Sequence, residues 1–197
     1  MLFLTFQLGK DCYALEANRV LEVLPLLELK RLPHAPKGLA GLINLRGRPV
    51  PTIDLNELTN GQPARERLTT RIIVINHIDD RGGDQPLGLI AEYVTQTLRR
   101  DPADFVETGV TPSSAPYLGP VLLEASGPIQ WLRTEGLVSE PIRQLLATNC
   151  RLTGGAWQIP APHPLAIRLS AGFAGSYSAY FGPLLSMLGQ HDRLAAS

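Results

Sequence analysis

The sequence predicts a mainly all-β fold, and three observations carry that prediction. Short apolar runs rich in Val, Ile, Leu and Phe recur along the chain and are cut by Gly and Pro at hairpin spacing. The run "TTRIIVINHI" is β-branched, is followed by the Gly-rich stretch "DDRGGDQ", and has a matching partner in "PLGLIAEYVTQTL". Helical spacing of apolar residues is clear only in "SEPIRQLLA", where Ile142, Leu145 and Leu146 recur after Ser139 and Pro141.

Taken in order, "LFLTFQL" (2–8) reads as a strand with one buried face, and "GKD" turns it into "CYAL". "EANRVLEVLPLLEL" reads as a short helical turn and then an extended segment, because Pro25 cannot sit inside a continuous helix. "RLPHAPKGLAGLINLRG" is loop and then strand, with Leu39, Gly41, Ile43 and Leu45 sharing one face by alternation. Asp54 closes the next strand and is placed to cap a helix beginning "LNEL", with Glu57 three residues on as its capping-box partner. Strand spacing continues through "APYLGPVLLEASGPIQWLRTEGL", and a helix opened by Ser139 closes this portion. The expected organisation is a domain over 1–147 and a Gly- and Pro-containing, flexible extension over 148–197, where periodicity disappears.

Composition narrows the function. The 197 residues are 44% hydrophobic, and 18 basic residues balance 18 acidic ones, so no net field draws nucleic acid or an anionic membrane. "MLFLTFQLGK" lacks a basic stretch and a small-residue cleavage site, and no apolar run is long enough to span a bilayer; the expectation is a cytoplasmic protein. Cys12 and Cys150 stand alone, without the spacing of metal ligands or of a redox pair.

Chemistry residues do not assemble into an enzyme motif. His34, His77, His163 and His191 lie in unrelated contexts, Asp79 and Asp80 sit in a turn, and "RGG" lacks the lysine of a phosphate loop. No cofactor, metal or catalytic set is indicated, which directs attention to surfaces that bind other proteins. A small β-barrel hydrolase using His34 and the Asp79–Asp80 turn is the remote alternative.

With these residues in view, "FQLGKDCYALEANRVLEVL…LKRLPHAPKGLAGLINLRGRPVPTIDL" resembles the CheW-like family of chemosensory coupling proteins. The matching features are Tyr13-Ala-Leu, "VLEV" at Val20 to Val23, Gly-x-x-Asn-Leu-Arg-Gly at Gly41 to Gly47, and Pro-x-x-Asp-Leu at Pro51 to Leu55. The likeness is looser in "RIIVINH", "LGLIAEYV" and the hairpin after Tyr117, and Glu92 stands where the family has Asp. The resemblance implies two intertwined SH3-like five-stranded β-barrels with short helices and one C-terminal helix. It implies a non-catalytic adaptor in the cytoplasm at membrane receptor arrays, touching the membrane only through the receptor. Its implied partners are the tip of a methyl-accepting receptor and the regulatory domain of a CheA-type histidine kinase. A same-fold scaffold in a surface-sensing or motility system is the alternative.

The resemblance also implies a receptor-binding groove flanked by Val20, Glu22, Asn44, Leu45, Arg46 and Gly47, with kinase contacts elsewhere on the barrels. Glu22 is where the family places the acid that pairs with Arg46, whose guanidinium fork suits two-point contact with a carboxylate. If Leu45 to Gly47 are strand, Asn44 and Arg46 project opposite Ile43 and Leu45, and Gly47 supplies a bend. Independently of any family, Pro49 and Pro51 remove amides from one side of their strand, so that side is incompletely paired and the strand is an edge or carries a bulge.

Overall fold

The computed structural model describes residues 1–78, 83–109 and 115–149. Among these residues, nine strands make two sheets that share one long strand. The order is β1 (Leu2–Leu8), β2 (Asp11–Glu16), β3 (Val20–Pro25), β4 (Leu39–Leu45), β5 (Arg48–Asp54), helix α1 (Leu55–Asn60), β6 (Arg71–Ile78), β7 (Asp84–Arg99), β8 (Leu118–Glu124), β9 (Gly127–Leu132) and helix α2 (Glu140–Asn149). A 3₁₀ turn at Ala17–Arg19 precedes β3, as the sequence predicts.

Barrel one is β7–β1–β2–β9–β8, and barrel two is β3–β6–β7–β5–β4. The chain starts barrel one, builds barrel two, and returns through β7 to finish barrel one, so the SH3-like barrels are intertwined. The first half of β7 pairs with β6 and β5, and its second half with β1. The changeover comes at Tyr93, whose φ of 50° lies where the β1 register shifts. A non-glycine residue in this left-handed region is strained, and here it re-aims the strand from one barrel to the other.

Burial explains why β6 reads as an unbroken apolar run. Ile73 and Ile75 join a cluster between the barrels with Leu4, Phe6, Leu89 and Leu132, while Ile72 and Val74 fill barrel two with Leu24, Ile43, Val50 and Ile90. A strand buried on both faces has no polar alternation. Barrel one is filled by Phe3, Ala14, Phe105 and Leu122, and Phe3, Phe105 and Trp131 meet with ring centroids 5.0 Å apart.

Two sequence expectations are corrected in β4 and α1. Leu39 does not share a face with Ile43 and Leu45: the register shifts between Leu39 and Gly41, which turns Leu39 into the cluster between the barrels while Ile43 and Leu45 pack in barrel two. Gly41 sits at that shift with φ of 149°, where a Cβ would come within 2.6 Å of the Lys30 carbonyl oxygen. Asp54 caps α1 through the amides of Asn56 and Glu57, at 2.9 and 3.1 Å, but its own N–H donates to the Gly38 carbonyl at 2.8 Å. That bond fills the place a reciprocal Glu57 side chain takes in a capping box.

Ile142 and Leu145 of α2 pack on the cluster between the barrels, and the Arg143 amide donates to the Ser139 carbonyl at 2.9 Å. The Leu146 side chain, the Asp79–Asp80 turn, Cys150, His163, His191 and residues 150–197 lie outside the described residues.

Candidate functional site: an ion-paired hairpin at the mouth of barrel two

Leu45 pairs with Arg48, so Arg46 and Gly47 are the two loop residues of the β4–β5 hairpin. Their φ angles are 54° and 82°, the combination a type I′ turn needs. Arg46 is therefore a turn residue and not a strand residue, and alternation does not set its direction. Asn44 Oδ1 accepts the Gly47 amide at 2.8 Å and fixes the turn. Nothing lies within 4 Å of a Cβ built at Gly47, so its φ alone demands glycine.

This conformation brings Arg46 back to the side that carries Ile43 and Leu45. Glu22 stands opposite Val74 in the β3–β6 ladder, on the face that points into barrel two. One guanidinium nitrogen of Arg46, Nη2, straddles its carboxylate at 3.1 and 3.0 Å. The Glu22 side chain is 6% exposed and that of Arg46 59% exposed, so a buried carboxylate is closed over by an arginine facing water. Such a pair ranks above a surface ion pair, because losing the arginine uncovers a charge already stripped of most of its water.

The prolines do what their spacing predicts. Leu42 exchanges backbone hydrogen bonds with Lys30, at 2.9 and 3.0 Å, so its polar groups point away from β5. Its partner Pro51 and, two residues on, Pro49 then direct their nitrogens away from β4. On that side β7 joins β5 from Thr52 to Asp54, and among the described residues no strand pairs with Pro49 to Pro51 there.

The structure thus brings together Glu22, Asn44, Leu45, Arg46 and Gly47. Val20 is set apart from them: it pairs with Ile75 and packs against the cluster between the barrels. Its neighbour Arg19 lines a cleft there with His77, Thr134, Gly136 and Arg143, and bonds Glu135 at 3.3 Å. His34 is an exposed loop residue with φ of 56°. Among the described residues no group of three His, Cys, Asp or Glu is placed to hold a metal ion, and no helix is long and apolar enough to cross a membrane.

Glu92 carries no role legible in the sequence beyond its departure from the family residue. It is buried in β7 and accepts the Arg65 amide at 2.9 Å, while Asp54 takes the Ala64 amide at 2.8 Å. Two buried carboxylates thereby pin the strap between α1 and β6. Arg67 of that strap donates to the Tyr93 hydroxyl at 2.9 Å and lies over its ring at 5.7 Å. Burial raises the Asp54 pKa above the ordinary carboxylate range; the amides of Ala64, Glu57 and Asn56 pull it down, and the nearby Glu92 adds to the rise. Only contact across distant segments places these groups together, and no short motif announces it.

Two intertwined five-stranded barrels, a shared strand and a clasped hairpin define a β-barrel scaffold of the SH3-like kind. A family model described as the CheW-like domain matches residues 2–141. The chain belongs to the CheW-like family. It is 28% identical over 97 residues to a chemotaxis protein CheW of Helicobacter pylori, covering 49% of this chain and 56% of that one. It is 30% identical over 96 residues to the corresponding protein of Klebsiella aerogenes, covering 49% and 55%. The chain thus spans about half the length of the curated relatives it matches. Its fold is similar to the crystal structure of the scaffolding protein TtCheW from Thermoanaerobacter tengcongensis, with a TM-score of 0.64, 24% identity, and coverage of 74% of this chain and 92% of that one.

Proposed function

We propose that this chain is a non-catalytic chemotaxis adaptor, coupling a methyl-accepting receptor to a CheA-type histidine kinase at cytoplasmic receptor arrays. The receptor tip docks on the β4–β5 hairpin, with Glu22, Asn44, Leu45, Arg46 and Gly47 at its centre and Val20 towards the cleft between the barrels; the kinase regulatory domain docks elsewhere. Membership of the CheW-like family supports the adaptor role. The observation that carries the site is Arg46 itself. A type I′ turn favours Asn-Gly or Gly-Gly, yet here an arginine accepts the left-handed backbone and reaches a buried acid. A residue that breaks the local rule while its side chain makes a defined contact marks a functional position.

The test is titration of the folded protein with a receptor signalling-tip fragment and, separately, with a kinase regulatory domain. Arg46→Asn suits the turn better than arginine and removes the clasp, so it is expected to hold the melting temperature within a few degrees while weakening receptor-tip binding about tenfold, or about 1.4 kcal/mol. Kinase affinity stays within about twofold, on the ordinary additivity of distant sites. Absence of binding to both fragments overturns the adaptor reading; receptor binding unchanged by Arg46→Asn overturns the site.

A further inference from the structure

The two barrels are built alike, although the chain enters them at different points. The path β7–β1–β2–β9–β8 matches β3–β6–β7–β5–β4 strand for strand. Both run antiparallel, antiparallel, parallel, antiparallel along the order. Each five-stranded sheet has two edges, and the seam between them has to be closed. In barrel two the seam runs between the β3 end and β4. It is crossed by the Lys30–Leu42 backbone bridge and by Glu22–Arg46.

Barrel one closes its seam with the same two kinds of contact. Val106, a few residues beyond β7, exchanges backbone hydrogen bonds with Val121 of β8 at 2.8 and 2.9 Å. Arg100, next after β7, donates to Glu124 at the end of β8, with Nη2 at 2.6 Å and Nε at 2.9 Å from Oε1. The Arg100 backbone is held in turn: its N–H donates to the Met1 carbonyl at 3.1 Å and its carbonyl accepts from the Met1 amino group at 2.7 Å. The charges are reversed between the barrels. In barrel two the acid is on the edge strand and the arginine on the hairpin; in barrel one the arginine follows the edge strand and the acid is on the hairpin.

We infer that Arg100–Glu124 is a seam latch, the charge-reversed counterpart of Glu22–Arg46, and that each latch holds its own barrel shut independently of the other. The two latches share no residue, and each joins the two edge strands of its own barrel, β3 to β4 in one and β7 to β8 in the other. With side chains 40% and 25% exposed, Arg100 and Glu124 are within reach of water, so this latch opens without unfolding the core beneath it. The inference does not depend on what docks at barrel two. It makes the protein two separately openable halves around one shared cluster.

Amide hydrogen exchange of the full chain tests this, because each seam carries its own reporters: the amides of Val106 and Val121 for barrel one, and those of Lys30 and Leu42 for barrel two. Arg100→Ala and Glu124→Gln are each expected to speed exchange at Val106 and Val121 about three- to tenfold and to leave Lys30 and Leu42 unchanged. Arg46→Asn is expected to do the reverse. The exchanged pair Arg100→Glu with Glu124→Arg restores protection at barrel one. Equal acceleration at both seams, no acceleration at Val106 and Val121, or failure of the exchanged pair to restore protection overturns the inference. Should Arg100→Ala not fold, Glu124→Gln and the exchanged pair decide it alone.

Discussion

Arg46 shows how one residue trades backbone comfort for a contact. A left-handed conformation costs an L-residue about 1–2 kcal/mol, and Arg46 adopts it where its guanidinium closes over Glu22. The motif around it is visible in the sequence, but its direction is not. Strand alternation sends Arg46 away from Ile43, and the type I′ turn sends it back. Tyr13 is a second residue whose setting has a measurable consequence. Burial between the barrels, with Asp11 nearby, pushes its phenol up to about 12, and burial raises Tyr117 as well. An unfolded tyrosine ionises near 10, so between about pH 10 and 12 the unfolded chain sheds a proton that the folded chain keeps. Stability from these phenols is present below about 10 and is lost as pH rises through the folded value. Denaturant midpoints measured from pH 9 to 12 should fall across that window, and Tyr13→Phe should flatten part of the fall.

At the scale of an element, α1 and the strap after it hang on Asp54. Its carboxylate accepts amides from Asn56, Glu57 and Ala64, two at a helix start and one ten residues on. The cap is legible, since an acid before "LNEL" is the usual signal; the strap contact is not, because Ala64 and Arg65 carry no mark of their partners. Asp54→Ala is expected to cost about 2–3 kcal/mol, more than an isolated cap, because it also orphans a strap amide. In chemical denaturation that appears as a lower midpoint with the slope unchanged. The raised Asp54 pKa has its own sign: the folded state holds this proton more tightly, so its contribution favours folding below the ordinary carboxylate range and fades as pH rises through the shifted value.

For the whole molecule, the decisive element is the central cluster. It draws Phe6 and Leu132 from barrel one and Val23 and Ile53 from barrel two around Ile73 and Ile75. Ile73→Ala, at this shared core, and Ile72→Ala, inside barrel two, should each cost about 2–5 kcal/mol. Ile73→Ala is expected to lower far- and near-ultraviolet circular dichroism transitions together as one cooperative step. Separate transitions for the two signals would show instead that the barrels melt independently.

The sequence by itself determined the mainly β character, the hairpins, the Asp54 cap of α1, the amide-free side of the strand at Pro49 and Pro51, and the family motif from Gly41 to Gly47. All of these are written in periods and turn residues a few positions long. Only the tertiary structure decided that β7 serves both barrels, that Leu39 turns away from Ile43, that Glu92 and Asp54 share a strap, and that Arg100 latches Glu124. Those outcomes rest on contacts between segments tens of residues apart and on single positive φ angles. A pattern of neighbouring residues encodes which face of a strand is apolar, but not which of two cores that face meets.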